Sequence, residues 1–163
     1  MKRTITVAAL AAVQLALVGA AVAPQLSARV AGEPYVLRVA PVDPIDPFRG
    51  AYVALDYPDL RTPGTPTGQG AGLDDGSRGR VYVALRRDGD VWVADSLTRT
   101  RPDAGVYLRC DDSGWELRCG IESLFASQER ARSLEDTLAD GAYAEVTIDS
   151  RGNAALVDVR ENP

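Results

Sequence analysis

Histidine is absent from the 163-residue chain, and lysine occurs only once, at Lys2. Without histidine, the protein cannot use a Ser-His-Asp or Cys-His nucleophile, and it lacks the commonest metal ligand. Without a lysine after Lys2, the rest of the chain cannot form a Ser-Lys dyad, a Schiff base or a P-loop. Carboxylates, arginine, tyrosine, serine and two cysteines remain as the groups available for catalysis.

Positive charge is scarce in the main body of the protein. From Pro24 onward the sequence has sixteen arginines and twenty-three acidic residues, a formal charge of −7. A surface of this sign repels nucleic acid and anionic lipid. Recognition of a partner through a broad basic patch is therefore not expected.

One long apolar run lies near the start of the sequence. Residues 4–23 are twenty residues without a charge, and they directly follow Lys2 and Arg3. A run of this length spans the hydrocarbon core of a bilayer. The two cations favour a cytoplasmic N-terminus. The sequence therefore predicts a single-pass bacterial membrane protein with its domain on the extracytoplasmic side.

A cleaved signal peptide is the alternative interpretation, in which the domain is secreted. Ala21-Val22-Ala23 has the small-x-small pattern of a cleavage site. The apolar run is longer than a usual signal sequence, however, and Pro24 would follow the scissile bond directly. These two features favour an uncleaved anchor, so we divide the chain into an anchor segment, 1–30, and one domain, 31–163.

The domain reads as mainly β with short strands and glycine-rich turns. Asp88-Gly89 predicts a tight hairpin between two of the strands, and longer turns at 111–114 and 149–153 predict two further hairpins. On the second strand, alternation places Ala51, Val53, Leu55 and Tyr57 on the inward face. The predicted strands cover residues 34–40, 50–57, 81–85, 91–95, 105–110, 115–119, 142–148 and 154–159.

Two other segments complete the predicted architecture. Residues 58–80 are rich in glycine and proline, which predicts a long mobile loop. Residues 127–140 predict one helix, with Ser127 as its N-cap and Gly141 at its closing position. The expected fold is a strongly bent antiparallel sheet or small barrel with one packed helix, of the α+β class, after an N-terminal transmembrane helix.

Cys110 and Cys119 would meet an oxidising compartment in an exported domain, which favours a disulfide. A regular hairpin around 111–114 would instead pair Cys110 with Trp115 and leave Cys119 roughly 13 Å away on strand spacing, beyond the reach of a disulfide. The two cysteines are therefore either free and half-buried, or this hairpin is irregular.

A proline-rich corner precedes the second strand. Asp43 and Asp46 lie between its prolines and could suggest a calcium site, but two carboxylates without a glycine-bearing loop supply too few oxygens. Aspartate before proline commonly starts a turn. We therefore expect these two residues to cap backbone, and the sequence predicts no metal and no cofactor.

Residues 41–57 read Pro-Val-Asp-Pro-Ile-Asp-Pro-Phe-Arg-Gly-Ala-Tyr-Val-Ala-Leu-Asp-Tyr. This segment resembles the signature of the GDYXXLXY family, a Pro-Val-Asp-Pro-Arg-Asp stretch followed by the motif that names the family. The chain departs from the signature at Ala51, where the family has Asp. Similarity at 81–85, 118–125, 134–135 and 148–156 extends the resemblance over most of the domain.

The resemblance implies one N-terminal anchor, an exported domain of uncharacterised function, and association with a multi-pass membrane protein. We therefore expect an accessory or interaction subunit of a membrane complex, without nucleic acid. Gly50, Tyr52, Leu55 and Tyr57 form the structural motif. The expected binding surface joins the proline corner to a later segment, through Asp43, Asp46, Arg49, Tyr52, Arg118 and Glu122.

Two alternative functions follow from the residues themselves. A cell-wall or polysaccharide hydrolase would use Glu122 with Asp43, provided that the two carboxylates converge in an open cleft. A barrel that binds a small ligand would need a lumen left unfilled by Tyr57, Trp92 and Trp115. Structural ion pairs of Arg49 with Glu122, or of Arg118 with Asp43, would argue against a binding role for these residues.

Overall fold

Within the part of the chain that the structure describes, one long helix leads into eight β-strands. The computed structural model describes residues 2–41, 52–61, 73, 76–114, 116–125, 138 and 141–163. The elements are α1 (Lys2–Ala31), β1 (Glu33–Pro41), β2 (Tyr52–Asp56), a 3-10 turn (Pro58–Leu60), β3 (Arg80–Asp88), β4 (Val91–Thr98), β5 (Tyr107–Asp111), β6 (Ser123–Phe125), β7 (Ala142–Ile148) and β8 (Ala154–Arg160).

Helix α1 is longer than the apolar run that predicts it. It continues through Pro24, and only Gly32 separates it from β1. The side chains of residues 4–23 are all exposed. By length and composition the segment Thr4–Ala31 can cross a membrane, which fits a single-pass anchor or a signal sequence.

The strands form two antiparallel sheets. The larger has the order β6-β2-β1-β7-β8, and the smaller has the order β4-β3-β5. Strand β1 is central to the larger sheet and pairs with β7 over seven residues, with Leu37 opposite Ala144. The expectation of a mainly β, antiparallel fold with an N-terminal helix is confirmed. The small-barrel alternative is not, because the described strands do not close into a barrel.

Apolar side chains from both sheets meet in one core. Leu37 on β1, Val83 on β3 and Leu108 on β5 are almost fully buried in it. The predicted inward face of β2 is confirmed, because Val53 and Leu55 are both buried. Tyr57, just after the strand, belongs to the same core. The alternation along the strands thus directs every second side chain into a shared interior.

Two predicted hairpins form as expected. Strands β3 and β4 turn at Asp88-Gly89, where Gly89 has a φ of 63°, a value that favours glycine. Strands β7 and β8 turn through residues 149–153, where Asp149 accepts hydrogen bonds from the backbone N–H groups of Arg151 and Asn153. The first turn uses the positive φ that Gly89 adopts, and the second uses the Asp149 carboxylate as an acceptor for backbone amides.

The predicted hairpin of 105–110 with 115–119 is irregular, and Cys110 and Cys119 form a disulfide. Asp111 pairs with Arg118 rather than with a residue nearer in sequence, so the connecting loop spans 112–117. This register brings Cys110 opposite Cys119, with their Cα atoms 4.1 Å apart. The geometric argument against a disulfide was therefore wrong, because it assumed a four-residue loop.

The loop expected over residues 58–80 begins with ordered structure. Pro58–Leu60 forms a 3-10 turn, and Leu60 and Arg61 are buried. Residues 62–72, 74 and 75 lie outside the described residues. So does most of the predicted helix 127–140, of which only Leu138 is described, as helical and buried.

A buried ion pair fastens the loop after β5. The Asp112 carboxylate is 1% exposed and accepts two hydrogen bonds from Arg99, at 2.8 and 2.9 Å, and one from the Gly79 backbone N–H, at 2.8 Å. The hydrogen bonds from Arg99 hold the pKa of Asp112 below its usual range, despite its burial. The ion pair and the Gly79 amide thus connect the residue before β3 to the loop that follows β5.

Candidate functional site

Half of the predicted binding residues lie outside the described residues. Asp43, Asp46 and Arg49 belong to this part, as do Gly50 and Ala51 of the signature. Tyr52 begins β2 and pairs with Phe125 of β6. Arg118 and Glu122 are described, and they can be assigned separate roles.

Glu122 supports the turn that follows the disulfide. Its carboxylate accepts hydrogen bonds from the backbone N–H groups of Cys119 and of Gly120, the latter at 3.0 Å. Its backbone carbonyl accepts a hydrogen bond from Leu55, at 2.9 Å. A carboxylate occupied by backbone amides has a structural role, and nothing in its geometry supports use as an acid in a hydrolase.

Arg118 is different, because its side chain is 71% exposed. Its backbone makes two hydrogen bonds with Asp111, at 2.7 and 2.8 Å, so the strand-like pairing holds its Cα firmly. The guanidinium lies 3.9 Å from Glu116, at the outer limit for an ion pair. Among the predicted binding residues that the structure describes, Arg118 is the one that presents a charge to solvent.

Tyr57, the last residue of the signature, is a core residue with a polar end. Its side chain is buried, and its hydroxyl donates a hydrogen bond to the Ile121 carbonyl, at 2.8 Å. Burial, with a smaller effect from the charge of Glu122, raises the pKa of the Tyr57 phenol far above its ordinary value. The phenol therefore stays protonated and joins β2 to the turn after the disulfide.

A cavity of about 600 Å³ lies between the 3-10 turn and β4. Asp59 on its wall pairs with Arg38 at 3.4 Å, and Asp95 pairs with Arg86 at 3.8 Å. Arg61 turns away to make two 2.7 Å hydrogen bonds with Asp56, at the end of β2. Asp59 and Asp95 on the wall of this cavity are therefore each within ion-pair distance of an arginine.

The end of α1 packs on the domain, a feature that the sequence reasoning missed. Ser27 donates a 2.6 Å hydrogen bond to Asp149, in the turn between β7 and β8. Gln25 donates to the Gly120 carbonyl at 2.9 Å, and Arg29 donates to the Leu156 carbonyl at 3.2 Å. Ala28 is completely buried. The last two turns of the helix are thus part of the folded domain.

Gly32 makes the close approach of helix and sheet possible. A Cβ atom at this position would lie 2.2 Å from the Ala28 carbonyl oxygen and 3.0 Å from the Ile148 nitrogen. Both neighbours are backbone atoms that cannot rotate away. Only glycine therefore fits between the end of α1 and the end of β7 without a shift of one of them.

The electrostatics of Asp149 reinforce the same junction. Burial alone would raise the pKa of Asp149, but hydrogen bonds from Ser27, Asn153 and two backbone amides outweigh it and lower the pKa below the ordinary value. The ionised carboxylate is therefore the favoured acceptor for Ser27. The sequence signal for this contact is the continuation of helical residues after Pro24 without a further breaker before Gly32.

The family described as GDYXXLXY protein matches residues 14–159, which is most of the chain. The match includes α1 from its middle onward and all eight strands almost to the end of β8. No curated protein and no solved structure matches the chain.

Replacing Tyr57 with phenylalanine should destabilise the protein by about 1–3 kcal/mol, because the buried Ile121 carbonyl loses its hydrogen-bond donor. Thermal unfolding of the full chain in detergent measures the effect. Tyr143→Phe, at a half-buried tyrosine on β7, is the matched control and should change stability little. Equal unfolding temperatures for the two variants would contradict the structural role of the Tyr57 hydroxyl.

Replacing Gly32 with alanine should also destabilise the protein, by about 1–3 kcal/mol for a forced overpacking, because the new methyl group collides with two backbone atoms. Gly114→Ala is the control, since a Cβ there meets no atom within 4 Å. If Gly32→Ala unfolds at the same temperature as the control, α1 does not pack on β7 as described.

Proposed function

The chain belongs to the GDYXXLXY family, and from that premise we propose that it is an accessory subunit of a membrane complex. In this proposal α1 is an uncleaved single-pass anchor, the N-terminus is cytoplasmic and the β-domain is extracytoplasmic. The domain contributes contacts rather than catalysis, and the partner is a multi-pass membrane protein.

The position of Gln14 in the apolar run is the main support for the proposal. Gln14 lies at the middle of the uncharged run 4–23, its side chain is exposed, and its amide makes no hydrogen bond with another described residue. An amide at the centre of a hydrocarbon core without a partner costs several kcal/mol. Polar side chains in this position hydrogen-bond across helices. A neighbouring transmembrane helix would satisfy the Gln14 amide.

The packing of α1 on the domain supports a role beside a membrane partner. Hydrogen bonds from Gln25, Ser27 and Arg29 leave no linker between the anchor and the fold. A domain held in this way keeps a fixed orientation relative to the helix. It can therefore meet a partner in the same membrane with one face, at little cost in conformational entropy.

The Cys110–Cys119 disulfide supports the proposed topology. Disulfides form and persist in oxidising compartments and are rare in the cytosol. Lys2 and Arg3, before the apolar run, favour the cytoplasmic side for the N-terminus. Both features favour export of the domain.

The proline corner remains a proposed contact surface. Asp43, Asp46 and Arg49 would meet the partner there together with Tyr52, at the start of β2. This assignment rests on the sequence signature. It is secondary to the contact proposed for Gln14, which rests on the position and exposure of a described residue.

Replacing Gln14 with leucine should release the partner, because leucine keeps the span apolar and removes the hydrogen bond. One interhelical hydrogen bond of 1–2 kcal/mol corresponds to a loss of about tenfold in recovery. Recovery is measured by affinity purification of the full chain from its native membrane, after photocrosslinking from a benzophenone residue at Leu10 or Val18, one helical turn from Gln14.

Thr4→Val is the matched control, since it removes a polar group at the end of the span, where headgroups and water can replace it. The proposal expects one multi-pass membrane protein with the native chain and the control. Undiminished recovery with Gln14→Leu, or crosslinks only to a second copy of this chain, would contradict it.

A further inference from the structure

Three arginines line a surface pocket of about 370 Å³ beside the point where α1 meets the domain. They are Arg80 of β3, Arg109 of β5 and Arg118, which directly precedes Cys119. Pro24 and Gln25 of α1 line the same pocket. Among the described residues that line the pocket, Asp111 supplies the single carboxylate, so these residues carry a formal charge of +2 in a domain that is acidic overall.

Strand register brings these charges together. Asp111 lies opposite Arg80 in the pairing of β5 with β3, and its other side pairs with Arg118. Arg109 lies two residues earlier on β5, so it shares a face with Asp111. Asp111 itself is already engaged by Ser113, whose backbone N–H and hydroxyl both donate to its Oδ1.

The arginines of this pocket differ from two other arginines of the domain that are held in close ion pairs. Arg61 makes a close ion pair with Asp56, and Arg99 makes one with Asp112. Within the part of the chain that the structure describes, the guanidiniums of Arg80 and Arg109 form no ion pair within 4.0 Å, and that of Arg118 lies 3.9 Å from Glu116. Their hydrogen-bonding capacity is therefore available to a ligand.

A buried acceptor on the pocket wall also lacks a partner. Asn153 is 7% exposed, and its Nδ2 donates to Asp149 at 2.7 Å. This bond fixes the orientation of the amide, and the buried Oδ1 atom has no hydrogen-bond partner among the described residues.

The position of the pocket relative to the membrane follows from the length of α1. Twenty residues at 1.5 Å per residue cover about 30 Å, the thickness of the hydrocarbon core, so a span over residues 4–23 places Pro24 at the level of the lipid headgroups. The hydrogen bond from Gln25 to the Gly120 carbonyl keeps the pocket at that level.

We propose that this pocket binds the headgroup of an anionic phospholipid. The three guanidiniums suit the phosphate, which arginine binds through paired hydrogen bonds. The net acidity of the domain does not prevent this, because charges more than about 8 Å away are largely screened at physiological ionic strength. The inference rests on the proposed anchoring by α1, and it would orient the domain on the bilayer surface.

The test uses the full chain in nanodiscs of phosphatidylcholine and phosphatidylglycerol in equal parts, with retained lipids counted by native mass spectrometry. We expect phosphatidylglycerol to be enriched on the native chain. Arg80→Gln, Arg109→Gln and Arg118→Gln combined should lower that enrichment about tenfold, for the loss of several charge-assisted hydrogen bonds. Enrichment that persists in the triple variant, or none on the native chain, would overturn the proposal.

The matched control combines Arg86→Gln, Arg87→Gln and Arg160→Gln, three exposed arginines outside the pocket, and should keep the enrichment. Arg118→Gln alone, at an exposed side chain, serves if the triple variant does not fold, and should still reduce it. Displacement of the lipid by an equal concentration of glycerol phosphate would show that a soluble phosphate ester is the ligand, and would overturn the lipid assignment.

The inference and the proposed function fail in different ways. If the chain stays in the nanodisc without preference for phosphatidylglycerol, only the proposed lipid site is contradicted. If the Gln14→Leu variant still recovers the multi-pass protein, only the proposed partner contact is contradicted, because that substitution leaves the pocket unchanged.

Discussion

The hydrogen bond between Ser27 and Asp149 is the contact on which the arrangement of helix and domain depends. It joins a residue of α1 to the turn between β7 and β8, and burial of Ala28 and the close approach at Gly32 complete the junction. Because the partners are 122 residues apart in sequence, the junction is a long-range contact between α1 and the β7–β8 turn. Helix α1 and the β-domain are therefore one packed unit rather than two units joined by a linker.

The signature strand and the charged pocket serve different purposes in this unit. Leu55 and Tyr57 point into the core, and the Tyr57 hydroxyl reaches the turn after the disulfide. That turn, held by the Glu122 carboxylate, is also where Gln25 of the helix attaches. The signature thus builds the platform on which the helix docks, and the exposed arginines on the same side of the domain are left for binding.

Local patterns in the sequence predicted much of the fold. Alternation predicted the inward face of β2, the Asp88-Gly89 pair predicted the β3–β4 turn, and the uncharged run predicted α1. Features that depend on the register between paired segments were missed. The pairing of Asp111 with Arg118 fixes both the disulfide and the arginine pocket, and no local pattern specifies it. Similarly, composition showed an acidic domain but could not show where the three arginines of the pocket converge.

The most direct test of a single rigid unit is a distance measurement across the junction. Spin labels at Ala20→Cys, on α1, and Val157→Cys, on β8, occupy exposed positions, and the native cysteines are held in their disulfide. Double electron–electron resonance of the full chain in nanodiscs should give one narrow distance distribution. A broad or multiple distribution would show a hinge near Pro24 and would contradict the account.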